Sequence, residues 1–288
     1  MKIIITGGTG FIGSAVLGRL VTRGHDVTAI VRNDRAAGTV AAAGAAPLVG
    51  DLTDIAWLSE RLAATDAAVH AAAPGDGTNA DFDAGVVKAV TEVFSGTDRP
   101  YLHTGGVWVY GENPVITEDS AFDPPAIVAW RLPVEQSLLE AGVAATVVAP
   151  GIVHGHGRGI PALLAGGPRT ASGALTMIGD GTQHWTTVHV DDLAELYVLL
   201  LERGSGLGRV IGVGGDHPTV RELAVAAAGP AGVRAESAAD SRSRLGASFA
   251  DALLISQQAT GERARSLGWT PSRPSLLTEF GRGSYPAG

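Results

Sequence analysis

An α/β protein, built as a doubly wound parallel sheet with a small C-terminal lobe, is predicted by three features of the 288-residue chain. The β-branched run Ile3-Ile4-Ile5-Thr6 ends in Gly7-Gly8-Thr9-Gly10-Phe11-Ile12-Gly13, a glycine turn that opens a helix. Short apolar runs then alternate with stretches of helical periodicity, the rhythm of strands that lie parallel with helices on both faces. After Pro150-Gly151 the rhythm breaks into a Gly-rich stretch, 151–181, too long for an ordinary connection.

Taken in order, strands are expected at 2–6, 26–31, 47–49, 67–71, 101–104 and 145–149, each a short β-branched or apolar run. Helices are expected at 14–23, 55–63, 81–94 and 129–141, where apolar residues recur at helical spacing. A helix at 192–203 and a strand at 209–213 return the chain to the sheet, and Asp191 is expected to cap that helix. The dinucleotide-binding domain thus comprises 1–154 completed by 181–215, and the lobe 155–180 with 216–288. Residues 226–244, rich in small and charged side chains, read as a loop.

Composition narrows the function. With 45% hydrophobic residues the chain can bury a large core, and zero cysteines exclude disulfides, thiolate metal sites and a thiol nucleophile. Net charge −8 without a basic run argues against a nucleic-acid partner, whose phosphates need clustered Lys and Arg. No apolar run of membrane-spanning length occurs, and the first residues form a strand, so a soluble cytoplasmic protein with no membrane partner is expected. Nineteen arginines beside two lysines, with abundant Ala and Gly, suggest a GC-rich bacterial genome.

In the glycine turn, Gly7 permits the tight reversal, Gly10 lets a pyrophosphate approach the backbone, and Gly13 lets the helix lie close to the sheet. Amide groups at the start of that helix face the phosphates. At the end of the second strand, Val31-Arg32-Asn33-Asp34 places no acid where a ribose 2′-hydroxyl would want one. Arg32 instead suits a 2′-phosphate, which favours NADP over NAD, while Asp34 keeps the NAD option open.

These residues resemble the extended short-chain dehydrogenase/reductase superfamily, the group of NAD-dependent epimerases and dehydratases on the Rossmann fold. The resemblance also rests on Gly50-Asp51-Leu52, His70-Ala71-Ala72-Ala73, Val109-Tyr110-Gly111, Pro150-Gly151-Ile152-Val153-His154-Gly155, Val188-His189-Val190-Asp191-Asp192 and Leu267-Gly268-Trp269. It implies a cofactor site formed by Gly7, Thr9, Gly10, Phe11, Ile12, Gly13, Arg32, Asp51, Leu52, Ala71, Ala72, Ala73, Arg131 and Pro150. Asp51 would contact adenine; its alternative is to cap the following turn. His189 reads as a packed strand residue.

The chain departs from the family where chemistry is done. No tyrosine is followed four residues later by lysine, and none lies between Tyr110 and Tyr197. The family's serine position falls on Gly106, with Thr104 the nearest hydroxyl; its tyrosine falls on Ile127 and its lysine on Arg131. Arg131 can still bind ribose hydroxyls through its planar fork. Proton supply then falls to His154, Tyr110 or water, since imidazole exchanges protons near neutral pH, and Thr104 stands as a candidate catalytic hydroxyl. His103 reads as a core histidine, and His154 with His156 lacks a third metal ligand at a recognisable spacing, so no metal is expected.

Trp108, Trp130 and Trp185 suggest an apolar or aromatic substrate, whereas Arg158 and Arg169 could meet an anionic one. The leading expectation is an NADPH-dependent oxidoreductase acting on a small organic carbonyl, imine or activated alkene. A redox-neutral epimerase or dehydratase and a non-catalytic NADP(H)-sensing protein are the alternatives. The resemblance also implies a homodimer paired through the helices 81–94 and 129–141, whose Ala, Val and Leu content fits a buried helix pair.

Overall fold

The computed structural model describes residues 1–204 and 206–285. Its first half runs β1 (Lys2–Thr6), α1 (Phe11–Thr22), β2 (Asp26–Val31), α2 (Asp34–Ala42), β3 (Ala46–Val49), α3 (Ile55–Ala63), β4 (Ala67–His70), α4 (Asn79–Phe94), β5 (Tyr101–Thr104), β6 (Asn113–Ile116), α5 (Arg131–Glu140) and β7 (Ala145–Pro150). The second half runs β8 (Ile152–Gly155), β9 (Arg158–Gly159), α6 (Ile160–Ala165), β10 (Leu175–Thr176), β11 (Thr187–His189), α7 (Val190–Arg203) and β12 (Gly208–Gly212). It closes with α8 (Val220–Ala228), β13 (Val233–Arg234), α9 (Ala238–Leu245), α10 (Ala247–Leu254), β14 (Gln257–Ala259), α11 (Glu262–Ser266) and α12 (Leu276–Gly281).

The central sheet has seven strands in the order β12-β7-β5-β4-β1-β2-β3, and its ladders from β7 across to β3 run parallel. That order reverses direction beside β1, the doubly wound pattern expected from the alternation of strands and helices. The chain divides into two compact units: 1–105, 130–149 and 193–210 form the first, and 106–129, 150–192 and 211–288 the second. Residues 106–129 and 181–192 therefore fall with the second unit, the former because β6 pairs with β14.

In the first unit, Val86, Val87, Val90 and Phe94 of α4 pack with Leu58 and Leu62 of α3 and with Ile4, Ala68 and Val147 of the strands. Burial of such side chains contributes roughly 1.5–3 kcal/mol each. The second unit has its own core around Trp185, Met177, Leu223, Leu253 and Phe280. Trp185 is buried there with Nε1 donating to the Leu253 carbonyl at 3.0 Å, so it is a core residue rather than a wall for substrate.

Three sequence expectations need correction. Residues 34–42 form α2, capped by Asn33, whose side chain accepts the Ala36 amide at 3.0 Å; its stripe of alanines hid the helical period. Residues 226–244 are largely structured, with β13 and α9, the latter held by a Ser237–Asp240 capping box. Asp191 lies inside the first turn of α7 rather than before it. Among the described residues no helix is long and apolar enough to cross a membrane.

One ion pair is built into the first unit's core. Glu135 on α5 is buried and accepts from the equally secluded Arg209 of β12. Removing one partner strands a charge, so Glu135→Ala should lower unfolding free energy in urea by about 3–5 kcal/mol. The double replacement Glu135→Leu with Arg209→Met should cost much less; equal losses in the two variants would show that the pair itself carries little of the effect.

Candidate functional site

The glycine turn is shaped by a close approach of two strand ends. Gly7 has φ +73°, and a Cβ there would lie 2.4 Å from the carbonyl of Ala71, just past β4. A Cβ on Gly13 would fall 2.1 Å from the Gly7 oxygen, so α1 can start against the turn only without a side chain. Gly10, whose amide donates to the Gly7 oxygen at 2.8 Å, has nothing nearer its missing Cβ than that oxygen at 3.2 Å. The turn is therefore open at Gly10, where backbone amides can meet phosphate.

This turn lines a cleft of about 800 Å³ within the first unit. Gly7, Thr9, Gly10, Arg32, Asp51, Leu52 and Ala71 to Ala73 all lie on its wall, so most of the predicted cofactor residues are gathered in one place. Phe11, Ile12 and Gly13 begin α1 directly after the turn. The wall also includes Asn33, Thr53, Thr78, Asp81 and Phe82, which the sequence reading passed over. Thr53 had a signal: Asp51 Oδ1 accepts its amide at 2.9 Å and its hydroxyl at 2.8 Å, the Asx turn offered above as the alternative role of Asp51. These two bonds hold the Asp51 carboxyl below the ordinary carboxylate range.

Behind the cleft, the strand ends carry a buried polar network. Thr6 Oγ1 lies 2.7 Å from His70 Nδ1, and His70 Nε2 lies 3.2 Å from Asp83 Oδ1 on α4. His103 pairs through Nδ1 with the Tyr101 hydroxyl at 3.1 Å, and its Nε2 makes a longer ionic contact, 3.4 Å, with Asp83 Oδ2. At 3.4 Å that second contact is too poorly formed to count as a hydrogen bond. A neutral imidazole with its proton on Nε2 satisfies His70, an assignment made from the network. Burial pushes the Asp83 carboxyl up, but the histidine contacts outweigh it and hold it far below the usual carboxylate range.

The network therefore retains one negative charge. The Arg131 guanidinium faces it, with Nη1 4.0 Å from Asp83 Oδ2, donating to the Thr104 carbonyl at 3.0 Å and lying over Trp130 at 4.6 Å. Arg131 thus sits at the C-terminal end of β5 as the first residue of α5, with Ile127 in the turn before it.

The expected proton donors are placed less openly. Thr104 donates to the His70 carbonyl at 2.7 Å, so the Tyr197 hydroxyl, also at 2.7 Å, must donate to Thr104. Tyr110 is buried in a 3₁₀ turn of the second unit, against Phe122 at 5.2 Å. His154 is buried in β8 of that unit, with Nδ1 2.8 Å from Glu279. Pro150, at the end of β7, is also buried and belongs to the second unit. His103 and His189 are buried, as their strand positions led one to expect.

A doubly wound parallel sheet whose first strand ends in this glycine turn defines a Rossmann-type dinucleotide fold. The chain belongs to the NAD dependent epimerase/dehydratase family, whose sequence profile matches residues 3–126, and it is an atypical member of the extended short-chain dehydrogenase/reductase superfamily. It is 34% identical to the uncharacterized protein YLL056C of Saccharomyces cerevisiae, over 71% of this chain and 72% of that protein. It is 30% identical to a 4-hydroxy-2-methyl-3-oxo-4-farnesyl-3,4-dihydroquinoline-1-oxide ketoreductase of Stigmatella aurantiaca, over 72% of this chain and 66% of that one. In fold it is similar to human epimerase family protein SDR39U1 solved with NADPH, with TM-score 0.70, 22% identity and 98% of both chains covered. MoeE5, solved with UDP-glucose and NAD, is similar at TM-score 0.74 and 21% identity, over 99% of both chains. Family members bind nicotinamide cofactors and include reductases and epimerases. Fungal sequences stand among the relatives, so they lend no support to a bacterial source.

The buried network makes stability acid-sensitive in a defined direction. Burial, the largest influence, keeps the His70 imidazole below its ordinary 6.5. Its stabilising contribution is thus complete above pH 6.5 and is lost as pH falls below that value, with a slope of at most about 1.4 kcal/mol per pH unit. Asp83, also depressed, adds its own loss only below about 3.8. Melting curves between pH 7.5 and 5 should show this loss in the wild type and a shallower one in His70→Gln; identical slopes would remove His70 as the origin.

Proposed function

We propose that the protein is an NADP(H)-dependent oxidoreductase that reduces a small organic carbonyl, imine or activated alkene without the family's tyrosine–lysine pair. The observation that carries the reading is Arg32 on the wall of a cleft whose glycine turn is otherwise complete. A guanidinium there offers a charge-assisted bond to a 2′-phosphate, and the wall at β2 ends in Val31, which offers a 2′-hydroxyl no acceptor. The NADPH-bound neighbour and the ketoreductase relative support the reading; the NAD-bound neighbours are its counterweight.

The residues present fit the cofactor. Gly7, Thr9 and Gly10 would hold the pyrophosphate, Arg32 the 2′-phosphate, and Asp51 with Leu52 the adenine, all of them on the wall of the one cleft. Arg131, steadied by Thr104 and Asp83, would hold the nicotinamide ribose. When bound, the cofactor supplies a hydride to an electrophilic carbon, and the matching proton comes from water, because Thr104 is engaged on both sides and Tyr110 and His154 are buried. The partners are a small-molecule substrate and a second copy of the chain, packed through α4 and α5. Between those helices lies a groove of about 490 Å³ whose wall includes Val87, Pro133 and Val134. The reading includes neither nucleic acid nor a membrane, and takes the cytoplasm as its compartment.

The same engaged donors favour a second reading, an NADP(H)-binding protein without turnover. NADPH and NADH titrations with a carbonyl and enone panel separate the two. Arg32→Ala should weaken NADPH at least tenfold and leave NADH within about twofold, since a charged hydrogen bond contributes roughly 1.5–3 kcal/mol. Arg131→Ala should weaken both cofactors and Arg131→Lys should restore them. Equal effects of Arg32→Ala on the two cofactors would overturn the NADP assignment, and binding without consumption of NADPH across the panel would leave the binding protein.

A further inference from the structure

We propose that the second unit carries a binding site for a divalent transition ion of the zinc class, formed by His156, His189 and Asp191. The three come from different parts of the fold: His156 from the turn between β8 and β9, His189 from the end of β11, and Asp191 from the first turn of α7. Each offers one ligand atom, and the three atoms lie within 4.8 Å of one another. His156 Nε2 is 3.0 Å from Asp191 Oδ1, and His189 Nδ1 is 3.9 Å from Asp191 Oδ2. A tetrahedral ion with bonds near 2.05 Å spaces its ligands roughly 3.3 Å apart, so these distances bracket what an ion would impose.

Two further observations point to a ligand. His156 has φ +54°, the only non-glycine residue in the left-handed region among those described, and it sits between Gly155 and Gly157, both also at positive φ. A histidine at that position is strained where glycine would not be, and its imidazole lies against Asp191 with the side chain 61% exposed. The second is the support behind His189. Its Nε2 faces Glu279 Oε1 at 3.6 Å, and the other Glu279 oxygen is fixed by His154 at 2.8 Å. At 3.6 Å this is an electrostatic contact and not a hydrogen bond, but it sets a carboxylate behind one ring nitrogen while Nδ1 lies on the Asp191 side, as metal-binding histidines are backed by carboxylates.

An ion taken up here changes two existing contacts. The His189 Nδ1 lone pair accepts the Asp191 amide at 3.1 Å, and the ion replaces that weak acceptor interaction. Arg273, whose Nε is 3.8 Å from Asp191 Oδ2, is half exposed and swings into solvent. Two neutral imidazoles and one carboxylate suit zinc, cobalt or nickel better than calcium or magnesium, which prefer oxygen. The exposed side leaves the remaining coordination positions to water. Sequence spacing alone did not offer this set, because Asp191 lies 35 residues beyond His156.

The test uses the untagged full chain, stripped with chelator, and zinc chloride as the probe in calorimetry. The expected result is one equivalent bound at micromolar or tighter affinity, weakened at least tenfold in His156→Ala and in Asp191→Asn. Cobalt should give the visible absorption of a low-coordinate ion in the wild type and lose it in both variants. Zinc should also raise the wild-type melting temperature and not that of the variants, while circular dichroism verifies that each variant is folded. Absence of binding below millimolar zinc, or binding unchanged in His156→Ala, would overturn the site.

Discussion

The missing side chain of Gly7 is the constraint on which the rest of the first unit depends. With the Ala71 carbonyl 2.4 Å from where its Cβ would stand, the ends of β1 and β4 are as close as backbone allows. That approach sets where α1 can begin, since Gly13 must in turn come against the Gly7 oxygen. It also opens the cleft, because the turn that satisfies the strand ends leaves Gly10 facing outward with no side chain of its own. Arg32 and Asp51 then reach the same cleft from just past the ends of β2, which pairs with β1, and β3, which pairs with β2.

Beneath that surface, the unit carries charge where a Rossmann core would be expected to be apolar. Asp83 is 3% exposed, yet stays ionised because His70 and His103 direct polar edges at it and Arg131 stands 4.0 Å away. Such a buried carboxylate is costly unless its partners are all present. Here the arrangement suits an arginine at position 131, where the family resemblance led one to expect lysine. A planar fork can reach the Thr104 carbonyl while still facing Asp83, which a single ammonium point charge does less well. Under the proposed function, Arg131 would thus keep a positive charge for the nicotinamide ribose, while Ile127 offers no proton-transferring group.

Much of this could be read in the sequence. β1, β2, β5 and α3 lie where the apolar period places them, because β-branched runs and repeated large side chains leave little ambiguity. The cleft's glycines and Arg32 were legible from local chemistry, and Asp51 from the family resemblance. α2 was not, since only Val40 among its nine residues is buried. Asp83 was missed although it falls three, four and seven residues before Val86, Val87 and Val90, on the buried face of α4; a carboxylate on an apolar stripe was the signal. The pairings of His154 with Glu279 and of Asp191 with His156 join distant segments, and no spacing rule reaches them.

The proposed function requires the cleft of the first unit to favour an adenosine carrying a 2′-phosphate. The most direct measurement compares the affinities of 2′,5′-ADP and 5′-ADP for the wild-type protein, because these halves of the two cofactors meet only the cleft and need nothing from the nicotinamide end. The account predicts that 2′,5′-ADP binds at least tenfold more tightly, with the advantage shrinking as salt screens the guanidinium. Equal affinity, or a preference for 5′-ADP, would contradict it.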